Sequence, residues 1–194
     1  MKKIMFNDQY GLTKAVLDGR KTQTRRICYQ GTFKRFCSCG FCLEGADRGK
    51  LYINDGNEVV AKSKFKIGEE VAIAQRYIDL DDKFYRLLGI YKGGMKGYRN
   101  KMFVKADLMP HRIRITNIRV ERLQDISEED CIAEGIQDIV GKTYPETHLY
   151  RIKKGDTCYG TPRKPYSKLI DKISGKGTWD RNPLVFVYDF ELVK

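Results

Sequence analysis

Hydrophobic positions along this chain recur in short bursts, each bounded by glycine, proline or acidic residues, and the spacing inside each burst predicts its element. Lys2 to Phe6 is a brief, mostly apolar run that predicts a first strand, and Asn7 or Asp8 can cap the helix that follows. Between Gln9 and Asp18, Leu12, Ala15 and Val16 recur at helical spacing, and Gly19 stands where a left-handed residue would end the helix. Beyond it Thr22 and Thr24 favour extended backbone, so Lys21, Gln23 and Arg25 alternate with Thr22, Thr24 and Arg26 across two faces. After a Lys66-Ile67-Gly68-Glu69-Glu70 turn, Val71, Ile73 and Gln75 alternate with Ala72, Ala74 and Arg76. That pattern turns Gln75 inward, where its amide needs partners or forms the lip of a pocket.

The strongest strand signal follows Met109-Pro110. Ile113 and Ile115 share one parity and Ile118 and Val120 the other, so the buried face switches near Asn117, which predicts a β-bulge or bend of the kind that closes small barrels. Ser127 caps a helix running through Glu134, with Glu128, Glu129 and Asp130 in its first turn and Gly135 as its stop. Pro165 opens a second amphipathic helix whose stripe is Tyr166, Leu169, Ile170 and Ile173, ended by Gly175 and Gly177. Leu184 to Val193 reads as a closing strand. Two stretches, about 28–65 and 137–162, hold no sustained period and read as insertions within one domain, the first containing cysteines and the second polar.

Composition narrows this to a single α+β core: 41% of the 194 residues are hydrophobic, enough for one core and hardly for two. No apolar run approaches the ~20 residues of a membrane span, and the apolar residues after Met1 are too few for a secretory signal, so a cytoplasmic protein with no membrane partner is expected. Lys and Arg number 37 against 25 Asp and Glu, a formal net charge of +12, which suits a polyanionic partner.

Candidate chemistry concentrates in Gly19-Arg20-Lys21-Thr22-Gln23-Thr24-Arg25-Arg26, a run of cations and hydroxyls that ordinary packing does not call for. Two readings stay open for it: a solvated edge strand, or a site for an anion or nucleic acid. A second basic stretch places Lys92, Lys96, Arg99, Lys101 and Lys105 around Tyr98 and Phe103, the mixture of phosphate and base contacts that single-stranded nucleic acid uses, or else a solvated loop with its aromatics tucked inward. Cys28, Cys37, Cys39 and Cys42 cluster as a structural zinc site would, with free cysteines as the alternative. Neither His111 nor His148 has an Asp or Cys partner at motif spacing, and neither is assigned a catalytic role.

Several of these blocks together resemble the ASCH domain, in the version common in phage and prophage genomes. They are Leu17-Asp18-Gly19-Arg20-Lys21-Thr22-Gln23-Thr24-Arg25-Arg26, the Gly68-Glu69 turn, the run from Arg119 to Asp130, and Gly175 to Pro183. The resemblance implies a PUA-like small mixed β-barrel with flanking helices, and a cleft where the Gly-x-Lys-x-x-Thr portion sits. It implies binding of RNA or of a nucleotide, with Arg20, Lys21, Thr22, Thr24, Arg25, Arg26 and Gln75 as ligand-binding candidates and no required cofactor. Some small members of the family hydrolyse N(4)-acetylcytidine with a Lys, a Thr and a Glu, which offers the alternative of an amidohydrolase with Thr24 as nucleophile and Lys21 as its base. Here the chain departs from the pattern: Arg112, Arg114 and Thr116 stand where the carboxylate is expected, and Gln75 where phage-type relatives carry Glu. Glu121 is a substitute only if the fold turns it toward Lys21.

Overall fold

A computed structural model describes residues 1–28, 42–43, 50–52, 59–81, 96–140 and 147–193. Its frame is a five-stranded mixed sheet in the order β1-β6-β7-β10-β2, built from β1 (Lys2–Ile4), β2 (Gln23–Ile27), β6 (Glu70–Ile73), β7 (Arg112–Arg122) and β10 (Leu184–Val193). Only β1 and β6 run parallel, and the other pairs are antiparallel. A three-stranded antiparallel sheet, β3 (Cys42–Leu43), β4 (Lys50–Tyr52) and β5 (Val59–Lys62), falls within the stretch read as the first insertion. In the second, which the sequence presents as a long loop, β8 (Gln137–Val140) pairs with β9 (His148–Arg151) as a hairpin. Exposed Asp138, Val140 and His148 hide the two-residue period there, and cross-strand pairing supplies the order.

The parity switch near Asn117 is a bulge. Asp189 of β10 faces Asn117, whereas Phe190 faces Ile115, so Thr116 is the extra residue and Ile113, Ile115 and Ile118 are all buried. Val71 and Ile73 of β6 join the main core with Leu123, Tyr166, Phe186 and Phe190, while Ala72 and Ala74 on the opposite face join a smaller core with Tyr77, Val104 and Met109. Both faces of β6 are therefore covered past Glu70, which accounts for the unbroken apolar run from Val71 to Ala74.

Among the described residues four helices accompany the sheet: α1 (Leu12–Leu17), α2 (Glu128–Ala133), α3 (Arg163–Ser174) and α4 (Thr178–Arg181). The first starts later than its apolar period suggests, because residues 8–11 form a turn ending in Gly11 at φ 69°. Asp8 then binds the Thr13 hydroxyl rather than capping the backbone. Ser127 caps α2 as predicted, its hydroxyl accepting from the Asp130 amide. None of the described helices is long and apolar enough to cross a membrane.

Hydrogen-bonded order ends at β1 on one side and β2 on the other, so the described strands do not close into a barrel. The two edges nevertheless approach each other: Arg26 of β2 donates to the Met5 carbonyl, just past β1, at 2.7 Å. A cleft runs along this seam.

Candidate functional site

The cleft encloses about 920 Å³ and is lined from both edges: Ile4 to Gln9 on one side and Thr24 to Cys28 on the other, with Lys64, Phe65, α3 and the Phe186 and Tyr188 side of β10 completing it. Strand alternation decides which members of the basic run reach it. Thr24 lies opposite Tyr188 and Arg26 opposite Phe186, and all four line the cleft. Gln23 and Arg25 alternate to the other face, where carboxylates hold them, and of the two only Arg25 also borders the cleft.

Arg25 is held by three of them. Its Nη2 lies 2.6 Å from both Glu121 Oε1 and Asp130 Oδ2, and its Nη1 lies 3.4 Å from Glu134 Oε1. Burial pulls the Arg25 guanidinium down, and its carboxylate neighbours outweigh that and raise it, so it is a fixed cation. Arg119 extends the network to Asp130 at 2.6 Å and Asp189 at 2.8 Å, and Gln23 donates to Asp130 and Asp189. Burial pushes the Asp130 carboxyl up, but the bonds from Arg25 and Gln23 and the charges of Arg25 and Arg119 take it below its usual value.

Lys21 precedes β2 and is freed from strand parity. The amides of Arg20 and Lys21 both bond the Ala15 carbonyl, a turn that drives the Lys21 side chain under the sheet. Its Nζ donates to the carbonyls of Gln23 and Glu134 at 2.7 Å each and to Glu134 Oε2 at 2.5 Å, with the two side chains only 1% and 7% exposed. Burial lowers the Lys21 amine; Glu134 raises it again in part, and the net direction is down. Lys21, Thr24 and Glu134 all line the cleft, so the turn brings together a lysine and a threonine that straight-strand parity would separate.

Glu134 is the residue that sequence reasoning missed. It follows the last residue of α2, where the helix dipole disfavours an acid, and that misplacement was the available signal. Gly135, at φ 105°, lets the chain turn there: a Cβ on it would come 3.3 Å from Leu12 Cδ2 and 3.5 Å from Lys21 Cδ. Glu121, the substitute weighed from sequence, turns to Arg25 and Arg119 and does not line the cleft.

The remaining candidates divide. Arg26 lines the cleft and meets no carboxylate within 4 Å among the described residues; burial lowers its guanidinium, which Glu134 and Tyr188 offset only in part. Arg20 is exposed beside Asp18 at 3.6 Å, and exposed Thr22 serves through its backbone, so neither lines the cleft. Gln75 is also outside it. Its backbone N–H donates to Met109 Sδ at 3.3 Å, and its buried side-chain oxygen has no partner. Cys28 is buried in the core, its thiol pushed up to about 12 by burial. Cys37 and Cys39 lie outside the described residues, as does the Cys42 side chain, and among the described residues no group of three potential metal ligands occurs.

One lining residue came from the apolar stripe of α3. Tyr166 packs edge-on to Trp179 and is fully buried, yet its hydroxyl has no hydrogen-bond partner; burial first, then Glu134, holds that phenol well above its usual value. Compared with protein-family models, curated proteins and solved structures, the chain matches none.

Proposed function

We propose that the cleft binds a nucleotide, presented by single-stranded RNA. The observation that carries this reading is a cleft whose lining gathers aromatic rings and a buried Lys21–Glu134 pair, together with an Arg26 that meets no carboxylate within 4 Å among the described residues. Phe6, Phe65, Phe186 and Tyr188 offer faces to a base; Thr24, Glu134 and the Tyr166 hydroxyl offer directional hydrogen bonds; Arg26 and exposed Lys64 suit a phosphate. The volume of about 920 Å³ is of the size of small-ligand sites, which run to roughly 1,000 Å³. The resemblance to ASCH domains, and through it to PUA-like barrels, points the same way. Arg20, Lys21, Thr22 and Arg25 then act through local structure, because none of their side chains is both in the cleft and free of an internal partner.

Arg26→Gln is the test, because it removes a cleft charge without stranding a carboxylate. Anisotropy of a fluorescein-labelled single-stranded RNA octamer should show weaker binding, and the slope of log affinity against log salt should shrink by about 0.7. Equal affinity and slope in a variant that melts like the parent would overturn the reading.

A second reading is favoured by one observation, the presence of Glu134 beside Lys21 in the cleft that Thr24 lines. It supplies the carboxylate that the amidohydrolase alternative lacked. In that reaction the Thr24 hydroxyl attacks the acetyl carbon of an N-acetylated base, its proton passes to a neutral Lys21 and on to the departing amine, and water then releases acetate. Burial of Lys21 favours its neutral form. Release of cytidine from N(4)-acetylcytidine by the parent and not by Thr24→Ala is expected; no release by the parent would sink this reading and leave RNA binding standing.

A further inference from the structure

We infer that the surface beside the cleft mouth, formed by Met102 and Phe103 with Met1 and Met5, is a stacking platform for the nucleotide that flanks the one in the cleft. This rests on the proposed RNA-binding reading and extends it from a pocket to a strand path. Met102 and Phe103 are 59% and 55% exposed, and Met1 and Met5 are also open to solvent. Met1, Lys3 and Met5 share one face of the chain through β1, and Lys3 Nζ donates to the carbonyls of Met102 and Val104 at 2.6 Å each. That contact places the 101–104 turn against the segment that lines the cleft. Lys101 strengthens it from the other side, bonding the Phe6 carbonyl and lying 2.9 Å from Asp8.

The platform is rigid for a surface turn. Asn100 accepts from the Met102 amide at 2.9 Å, the Lys105 amide donates to the Tyr77 hydroxyl at 2.9 Å, and Gly97 packs so closely that a Cβ there would lie 3.2 Å from the Phe103 carbonyl carbon. The exposure of Phe103 is therefore imposed by the fold. Lys96, Arg99 and Lys105 of the same segment are exposed and meet no carboxylate within 4 Å among the described residues. The segment's one acid, Asp107, is paired with the Met1 amine at 3.4 Å. An exposed aromatic in a segment with three exposed cations that lack carboxylate partners fits a base with its phosphates better than it fits an apolar protein surface, which would have to desolvate those charges.

The experiment compares Phe103→Ala with the parent on two probes, adenosine monophosphate and a labelled single-stranded RNA octamer. Phe103 is exposed, so folding is not at stake. The expected result is about tenfold weaker octamer binding with mononucleotide binding unchanged. Equal octamer affinity in a parent that binds both probes overturns the platform and leaves the cleft reading intact. Failure of the parent to bind either probe at low salt overturns both. A concentration-dependent dimer in sedimentation that Phe103→Ala abolishes would instead give the surface to a second copy, and overturn the proposal.

Discussion

Glu134 is shared between two cations, Lys21 at 2.5 Å and Arg25 at 3.4 Å, and the sharing makes the members of the group unequal. Losing Glu134 strands a Lys21 that has no other carboxylate partner among the described residues, while losing Lys21 leaves Glu134 still beside Arg25. Breaking a buried pair by removing one partner typically costs about 3–5 kcal/mol. Glu134→Gln should fall in that range in urea unfolding and Lys21→Met below it, with Lys21→Met/Glu134→Leu recovering part of the loss. Equal costs for the two single variants would mean that Arg25 does not share the charge. The inventory of cations in the basic run could not reveal this, because a lysine that holds a buried carboxylate and one that waits for a phosphate look identical in sequence.

At the scale of elements, the join between α2 and β8 controls how close Glu134 comes to Lys21. Gly135 sits there at φ 105°, and a side chain would meet both Leu12 and Lys21. Gly155 offers a control, since it has a similar φ of 92° but open space where a Cβ would go. Gly155→Ala should cost only the backbone term, about 1–2 kcal/mol, and Gly135→Ala should cost more, read as a larger fall in thermal midpoint. Equal losses would show that the contact with Leu12 and Lys21 relaxes freely. The bulge at Thr116 works at the same scale. It returns Ile118 to the core after Ile113 and Ile115 and leaves Asn117 to bond Asp189 at 3.1 Å.

For the whole molecule, the carboxylates on the Arg25 face link the sheet to α2 and make the fold sensitive to acid. Asp130 has a folded value below its ordinary 3.8, so between the two values the unfolded chain binds the proton more readily. Its contribution is fully present above 3.8 and is lost as pH falls through the depressed folded value. Urea midpoints measured from neutral pH downward should therefore drop below about that ordinary value, and Asp130→Asn, already weaker at neutrality, should show a flatter acid limb. An identical acid limb in the variant would place the sensitivity elsewhere. The network ties β2, β7, β10 and α2 together, so its loss also bears on the cleft wall that β2 and β10 form.

Alternation and helical spacing determined the strand at 184–193, the cap at Ser127, the stop at Gly19 and the switch beside Asn117, because these follow from local backbone geometry. The same patterns located the strands near Lys2 and Val71, which end at Ile4 and Ile73 rather than at Phe6 and Arg76. They also assigned Thr24 and Arg26 to one face and Gln23 and Arg25 to the other. Tertiary structure alone decided what each face meets: carboxylates from β7 and α2 on one side, an aromatic cleft on the other. It brought Glu134 to Lys21 across 113 positions and left the Tyr166 hydroxyl without a partner inside an apolar stripe. The physical reason is range. Local sequence sets the direction of a side chain, whereas the charge it faces depends on how distant segments pack, and a charge buried in low dielectric is defined by its partner.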